Sequence, residues 1–391
     1  MSARRVAVTG IGVVGPCGVG RESFYDGLLS PAPEGPRSVD DFDLTPYFSS
    51  PKESRRLDRF THFALVAASE ALEMAGELDA DPERIGVIVG TGVGGLTTIE
   101  TQVLVFHEKG PRRVSPFLVP MMMANAASAN VSMRYGFTGP CETTVTACAA
   151  SNQSIGNAAN MIRWGRCDAM ITGGSEAPLT NTGQQGFINM TATSNAGISR
   201  PFDAERDGFM QAEGGGILVL EEMERAKARG ATILAEVAGY ATTADAGHIT
   251  APSPGGVGAI RCMEMALEDA GMDAGDVVYI NAHGTSTPLN DAAEAAAINH
   301  VFASPGPLVS STKGVTGHAL GAAGALEAVA VIMAMERGVL PPTAGLANPD
   351  PEMPALRHII GEGQEWTPGP SLSNSFGFGG HNATLVFTPP S

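Results

Sequence analysis

Two periods of apolar residues alternate along the chain. Residues 71–76 (ALEMAG) and 266–271 (ALEDAG) close stretches of helical spacing, with Gly76 and Gly271 where a helix C-cap is expected. Each predicted helix leads through a short polar loop to a strand-like run, 85–89 (IGVIV) and 277–280 (VVYI). Each run opens into a loop of small residues, 90–95 (GTGVGG) and 283–287 (HGTST). Further on, 143–145 (TTV) leads to a helix predicted to begin near Cys148, and 308–312 (LVSST) to one predicted to begin near His318. Glycine-rich turns with strands close both series, at 214–220 (GGGILVL) and 379–387 (GGHNATLVF), and the starts correspond loosely, 6–15 (VAVTGIGVVG) with 233–241 (ILAEVAGYA).

Strands alternating with helices predict an α/β fold of mainly parallel sheets covered by helices. So many matches in one order predict an internal duplication with its boundary near Gly230: an N-terminal half, 1–230, and a C-terminal half, 231–391. One α/β domain with coincidental glycine-rich turns is the competing reading.

Composition narrows the function. The 391 residues hold 24 Lys and Arg against 41 Asp and Glu, a net charge of −17. Such a chain is a poor ligand for nucleic acid or an anionic membrane. Hydrophobic residues at 43% and charged residues at 17% exclude an intrinsically disordered chain. Five cysteines, at 17, 141, 148, 167 and 262, form no disulfide framework, and with no CxxC or HExxH pair no metal site is expected. The opening MSARRVAVTG lacks a signal-peptide core, and the longest apolar stretch, 319–335, is broken by Glu327 and reads as a buried helix. The expectation is a soluble, cytoplasmic protein.

Candidate chemistry sits where strands give way to helices. Cys148 stands at a predicted helix start, where the helix dipole favours the thiolate and should lower the pKa from its free value of about 8.5. Most cysteines are inert core residues, the role expected of Cys17, Cys141, Cys167 and Cys262. His283 and His318 lie in the loops of the other half that correspond to such sites, at the C-terminal ends of strands. Two neutral imidazoles beside one thiolate suit a reaction that forms an enolate and condenses it, because each Nε2–H can donate to the developing negative oxygen. His62, His107, His248, His300, His358 and His381 are read as ordinary loop or core residues. Glu327, set among small and apolar residues, needs a buried partner, and Lys313 is the candidate.

Four motifs carry a resemblance: VTACAAS (145–151), NAHGTSTP (281–288), SSTKGVTGHALGAAGALE (310–327) and SFGFGG (375–380). Together they resemble the elongating β-ketoacyl-acyl-carrier-protein synthases of the thiolase-like condensing-enzyme superfamily, over nearly the whole chain. The resemblance implies an α/β, five-layer αβαβα fold built from a duplication. It implies a Cys-His-His set of Cys148, His283 and His318, supported by Lys313 and Glu327. Phe378 is then the gating residue whose backbone N–H completes an oxyanion hole with that of Cys148. Thr285 and Thr287 would hold a phosphopantetheine arm, and Val93, Phe187 and Phe376 would contact the acyl substrate. Lys52, Arg55 and Arg56 would dock an acidic acyl carrier protein.

No cofactor is implied beyond the carrier's phosphopantetheine. The implied assembly is a homodimer, and 121–130 (MMMANAASAN) resembles the interface segment. The implied activity is decarboxylative condensation of malonyl-carrier protein with a Cys-bound acyl chain in fatty-acid elongation. The alternative is a type II polyketide ketosynthase paired with a chain-length factor. A non-catalytic chain-length-factor-like subunit would lack Cys148. The chain departs from the family pattern in its trimmed 30–50 region, its short segment before SRPFD (199–203), and FMQAEGGG at 209–216.

Overall fold

The computed structural model describes residues 4–40 and 42–390; residues 1–3, which open the segment read for a leader, Asp41 in the trimmed region, and Ser391 lie outside it. The chain lays down β1 (Val6–Gly15), α1 (Arg59–Ala75), β2 (Ile85–Gly90), β3 (Cys141–Glu142), α2 (Ala150–Arg163), β4 (Ala169–Glu176) and β5 (Gly214–Glu222). It then repeats the series with β6 (Ala235–Ala244), α3 (Val257–Ala270), β7 (Tyr279–Asn281), β8 (Leu308–Ser310), α4 (Ala323–Arg337), β9 (Ser371–Gly377) and β10 (His381–Thr388).

Topology makes the repeat plain. The spatial orders are β3-β2-β4-β5-β1 and β8-β7-β9-β10-β6, the same permutation five strands apart. The two sets meet where β1 pairs antiparallel with β6, at Ala7↔Glu236 and Val8↔Ala235. The expectation of mainly parallel sheets needs correction. In each set the first three strands in space run parallel and the last three antiparallel. In the second set the cause is local: β9 and β10 are joined by a tight turn at 378–380, which only an antiparallel pair permits.

Five layers result. α1 covers one outer face and α3 the other, with α2 and α4 between the sheets. A helix sandwiched on both sides must be apolar all round, and residues 323–335 of α4 are all buried. The outer layer lies close because β1 carries glycines. A Cβ on Gly12 would come within 2.0 Å of the Ala67 carbonyl oxygen of α1.

Two predicted boundaries shift. The strand before Cys148 is 141–142, not 143–145. Beyond Glu142 the main link to the neighbouring strand is Thr91 N–H donating to Thr144 O at 3.1 Å, so the ladder stops. α2 begins at Ala150 after a 3₁₀ turn, Ala147–Ala149, that contains Cys148. His318 likewise lies ahead of its helix, between the turn Lys313–Thr316 and the 3₁₀ turn Leu320–Ala322. Both turns hold a non-glycine residue in the left-handed region, Ala147 at φ 49° and Leu320 at φ 46°. Such conformations persist only where the surroundings over-determine them, as around functional sites.

Candidate active site

Equivalent turns before α2 and α4 bring Cys148 and His318 face to face. Cys148 Sγ is 3.0 Å from His318 Nε2. His283, two residues beyond β7, joins them, its ring edge-on to His318 at 5.3 Å between centroids and 85° between planes. One donor atom from each of the three lies within 4.8 Å of the others, and all three residues are buried. The His283 backbone is fixed by a carboxylate that the sequence did not single out. Glu294 accepts from His283 N–H at 2.8 Å and from Gly284 N–H at 2.7 Å.

Lys313 decides what His283 can do. Its ammonium pairs with Glu327 and lies 3.4 Å from His283 Nδ1. An ammonium only donates, so Nδ1 accepts and neutral His283 carries its proton on Nε2. Burial, and after it the Lys313 charge, holds both imidazoles well below the usual histidine range. Burial also pushes the Glu327 carboxyl up to about 7, against the pull of Lys313. One thiol and two imidazoles are zinc-type ligands, but the proton on His283 Nε2 equips that ring to donate to an oxygen.

The thiol differs from its expected state. Burial pushes Cys148 up to about 11, with the Phe378 backbone N–H and the Lys313 charge opposing it less strongly. Desolvation therefore favours the thiol, hydrogen-bonded to His318. Only the thiolate is alkylated, its fraction growing about tenfold per pH unit below the pKa. Iodoacetamide labelling of Cys148, followed by peptide mass, is expected to keep accelerating above pH ~9. A plateau near neutrality would mean a resting thiolate.

The crevice is a cavity of about 360 Å³. Phe376 and Phe378 form one wall, with the Phe376 ring 6.1 Å from His283. Gly377 lies between them, where a Cβ would come 3.0 Å from the Cys148 nitrogen. Thr285 and Thr287 line the cavity with their hydroxyls 2.8 Å apart. Phe187 lines it too, edge-on to Phe209, which in turn stands edge-on to His318.

Val93 is not in this wall; it is 43% exposed, and its N–H donates to Glu176. Lys52, Arg55 and Arg56 are also remote from it. Lys52 lies in the short helix Pro51–Ser54 and lines a separate surface hollow with Arg56, whose guanidinium covers the Phe117 ring at 4.6 Å. Glu294 and Glu176 were missed because both act on backbone N–H groups of distant glycine loops. Their one visible signal is an acid among small residues, as in GGSEAP (173–178).

Residues 30–226 match the family described as beta-ketoacyl synthase, N-terminal domain, and residues 234–347 match beta-ketoacyl synthase, C-terminal domain. The 3-oxoacyl-[acyl-carrier-protein] synthase 2 of Synechocystis sp. is 45% identical over 416 aligned residues, covering 99% of this chain and 98% of that protein. Among solved structures, the ishigamide ketosynthase/chain length factor superposes with a TM-score of 0.93 at 33% identity, covering 100% of both chains. A type II polyketide ketosynthase, bound to a hexaketide and in complex with its acyl-carrier protein, superposes with a TM-score of 0.90 at 33% identity, again over 100% of both.

Proposed function

Since this chain belongs to the beta-ketoacyl synthase family, we infer that it condenses a malonyl thioester with an acyl group held on Cys148. It is a 3-oxoacyl-[acyl-carrier-protein] synthase of fatty-acid elongation, an acyltransferase. The observation that carries the residue roles is the 3.0 Å contact between Cys148 Sγ and His318 Nε2, beside a second imidazole whose Nε2–H is free to donate.

In the first stage Cys148 attacks the carbonyl carbon of an acyl thioester while its proton passes to His318. The tetrahedral oxyanion is met by the N–H groups of Cys148 and Phe378. Collapse expels the pantetheine sulfur, which takes the proton from His318, and leaves acyl-Cys148. In the second stage the malonyl thioester oxygen lies against His283 Nε2–H, and His318, neutral again and with its remaining ring proton shifted from Nδ1 to Nε2, supplies a second donor. As CO2 leaves, the electron pair moves into an enolate that these donors stabilise. The enolate carbon attacks the acyl-Cys148 carbonyl, the Cys148 sulfur departs as a thiolate and takes a proton from water, and a β-ketoacyl thioester leaves. These steps call on no cofactor beyond the carrier's phosphopantetheine arm, which Thr285 and Thr287 would hold. Phe187 and Phe376, which line the cavity, would face the acyl chain.

An acidic carrier protein needs a local basic surface on a chain of net charge −17, and Lys52, Arg55 and Arg56 would supply it. Reversing all three to Glu is expected to raise KM for carrier-borne acyl groups by about tenfold or more. Acylation by a small acyl-pantetheine thioester should stay unchanged. An equal loss with both donors would remove the patch from carrier docking.

Val103 and Phe106 on the helix Leu96–Lys109 are 62% and 57% exposed, and Val119 on Leu118–Met122 is 54% exposed. We assign this apolar surface, with Met121–Met123 beside it, to a homodimer. The halves are taken to divide at 230. No helix is long and apolar enough to cross a membrane among the described residues, in keeping with a cytoplasmic enzyme. The test is to supply acyl-carrier proteins of several chain lengths, then malonyl-carrier protein, and weigh protein and products. Acyl-Cys148 followed by β-ketoacyl products is expected; no covalent acyl group with any donor would overturn the reading. The second reading, a polyketide ketosynthase with a chain-length factor, draws on the 0.93 superposition. It would be favoured by stable copurification with an unlike partner of similar size.

A further inference from the structure

One carboxylate stands behind the reacting turns and takes no part in the steps above. Glu176, the last residue of β4, is fully buried at 0% exposure. Its Oε1 accepts from Thr91 Oγ1 at 2.8 Å and from Val93 N–H at 3.3 Å. Its Oε2 accepts from Gly92 N–H and, at 3.1 Å, from Gly321 N–H. Three of these donors belong to the loop after β2 in the first half. The fourth belongs to the turn Leu320–Ala322 in the second half, three residues past His318.

The fit admits no other side chain. A Cβ on Gly92 would lie 2.7 Å from Glu176 Oε2, and one on Gly321 would lie 2.1 Å from the Gly92 nitrogen. The same turn is gripped from its other side, where Ser151 Oγ, on the helix that follows Cys148, donates to Gly321 O. His318 itself is held through its backbone, with its N–H on Met210 O at 2.8 Å and its C=O on Ala212 N–H at 3.1 Å. Between these anchors lies Leu320, at φ 46°. A left-handed leucine must be fixed from outside, and the Glu176–Gly321 bond fixes the residue that follows it.

We propose that Glu176 is a positioning residue for His318: by holding Gly321 it sets the turn that aims the imidazole at Cys148. Glu176 touches no reacting atom. The proposal rests on the condensing reading for its kinetics but not for its spectroscopy.

The experiment compares full-length Glu176→Asp and Glu176→Gln with the wild type. Asp keeps the charge but withdraws the carboxylate by one methylene. Gln keeps an amide oxygen for Gly92 and Gly321, while its NH2 donates to the Thr91 hydroxyl and gives up only the longer bond from Val93 N–H. For Glu176→Asp, kcat for condensation is expected to fall on the order of 10²-fold, the usual cost of misplacing a catalytic group by ~1 Å, with KM little changed. Glu176→Gln should retain most of kcat. The His318 imidazole 15N signals, which need no substrate, should move in Glu176→Asp and stay in Glu176→Gln.

Where the wild type makes no condensation product, the condensing reading fails and the nitrogen signals alone judge this proposal. If Glu176→Asp folds poorly, Ser151→Ala, which loosens the same turn from the other side, should lower kcat and shift the same signals. Unmoved His318 signals in Glu176→Asp, or in Ser151→Ala where it replaces it, or equal kcat losses in the Asp and Gln variants, would overturn the proposal.

Discussion

Cys148→Gln is expected to stop self-acylation completely, and condensation with it, by on the order of 10⁴-fold or more. Release of CO2 from a malonyl thioester should persist. The two outcomes separate because the two proposed stages use different atoms. Acyl transfer needs the sulfur, hydrogen-bonded to His318 at 3.0 Å. Decarboxylation needs the Nε2–H of His283, whose tautomer is set by Lys313 at 3.4 Å on the opposite nitrogen. A Gln amide occupies the region of the acyl-thioester carbonyl and leaves that second arrangement intact. Intact-mass measurement after incubation with an acyl-carrier protein, and CO2 release in parallel, give both numbers. A covalent acyl group on the variant would move the nucleophile elsewhere, with Cys17, Cys141, Cys167 and Cys262 the first places to look.

Lys313→Met is expected to damage stability and activity together. Its ammonium neutralises Glu327, and the two side chains are 1% and 2% exposed. Lys313 takes Glu327 Oε1, and Oε2 has no hydrogen-bond partner among the described residues. Removing one member of a buried pair leaves an uncompensated charge and costs about 3–5 kcal/mol. The loss depends on pH in a definite direction. Burial already raises the folded-state Glu327 carboxyl to about 7 from its ordinary 4.5, and loss of Lys313 raises it further. Below the ordinary value Glu327 is protonated in both states, and the penalty is smallest. Across the window from 4.5 to beyond 7 the unfolded chain gives up this proton more readily, so stability falls as pH rises. Wild type shares that fall as far as about 7, and only the variant goes on losing stability above it, so urea unfolding near pH ~6 and ~9 should show the gap from wild type widening. Lys313→Met/Glu327→Leu should recover most of the stability, since a buried pair replaced by apolar groups is often neutral. It should not recover decarboxylation, because His283 Nδ1 has lost its donor. A gap independent of pH would mean that the lost packing of Lys313, not the stranded carboxylate, destabilises the variant.

What the sequence disclosed follows the range of each interaction. Gly76 and Gly271 marked helix ends because a C-cap is decided within one turn, and both residues cap their helices here. The duplication was legible because the same short motifs recur in one order. The strand directions were not, since β4 and β5 pair antiparallel across a long connection with no periodic signature. Cys148, His283 and His318 could be nominated from strand-loop-helix context, but their separations needed coordinates. The state of the thiol was beyond reach for the same reason: burial, which no local pattern records, raises it more than its neighbours lower it. Glu176 and Glu294 escaped notice because most of their partners are backbone amides, and an amide leaves no mark in a sequence.

The repeated strand order also bears on how the enzyme is made. The thiol is translated with the first half, while the imidazole it faces is encoded 170 residues later. Until the ribosome has delivered α4 and its preceding turn, a nascent chain carries a sulfur with no base beside it. The contact between thiol and imidazole therefore forms only when the late half docks against the early one.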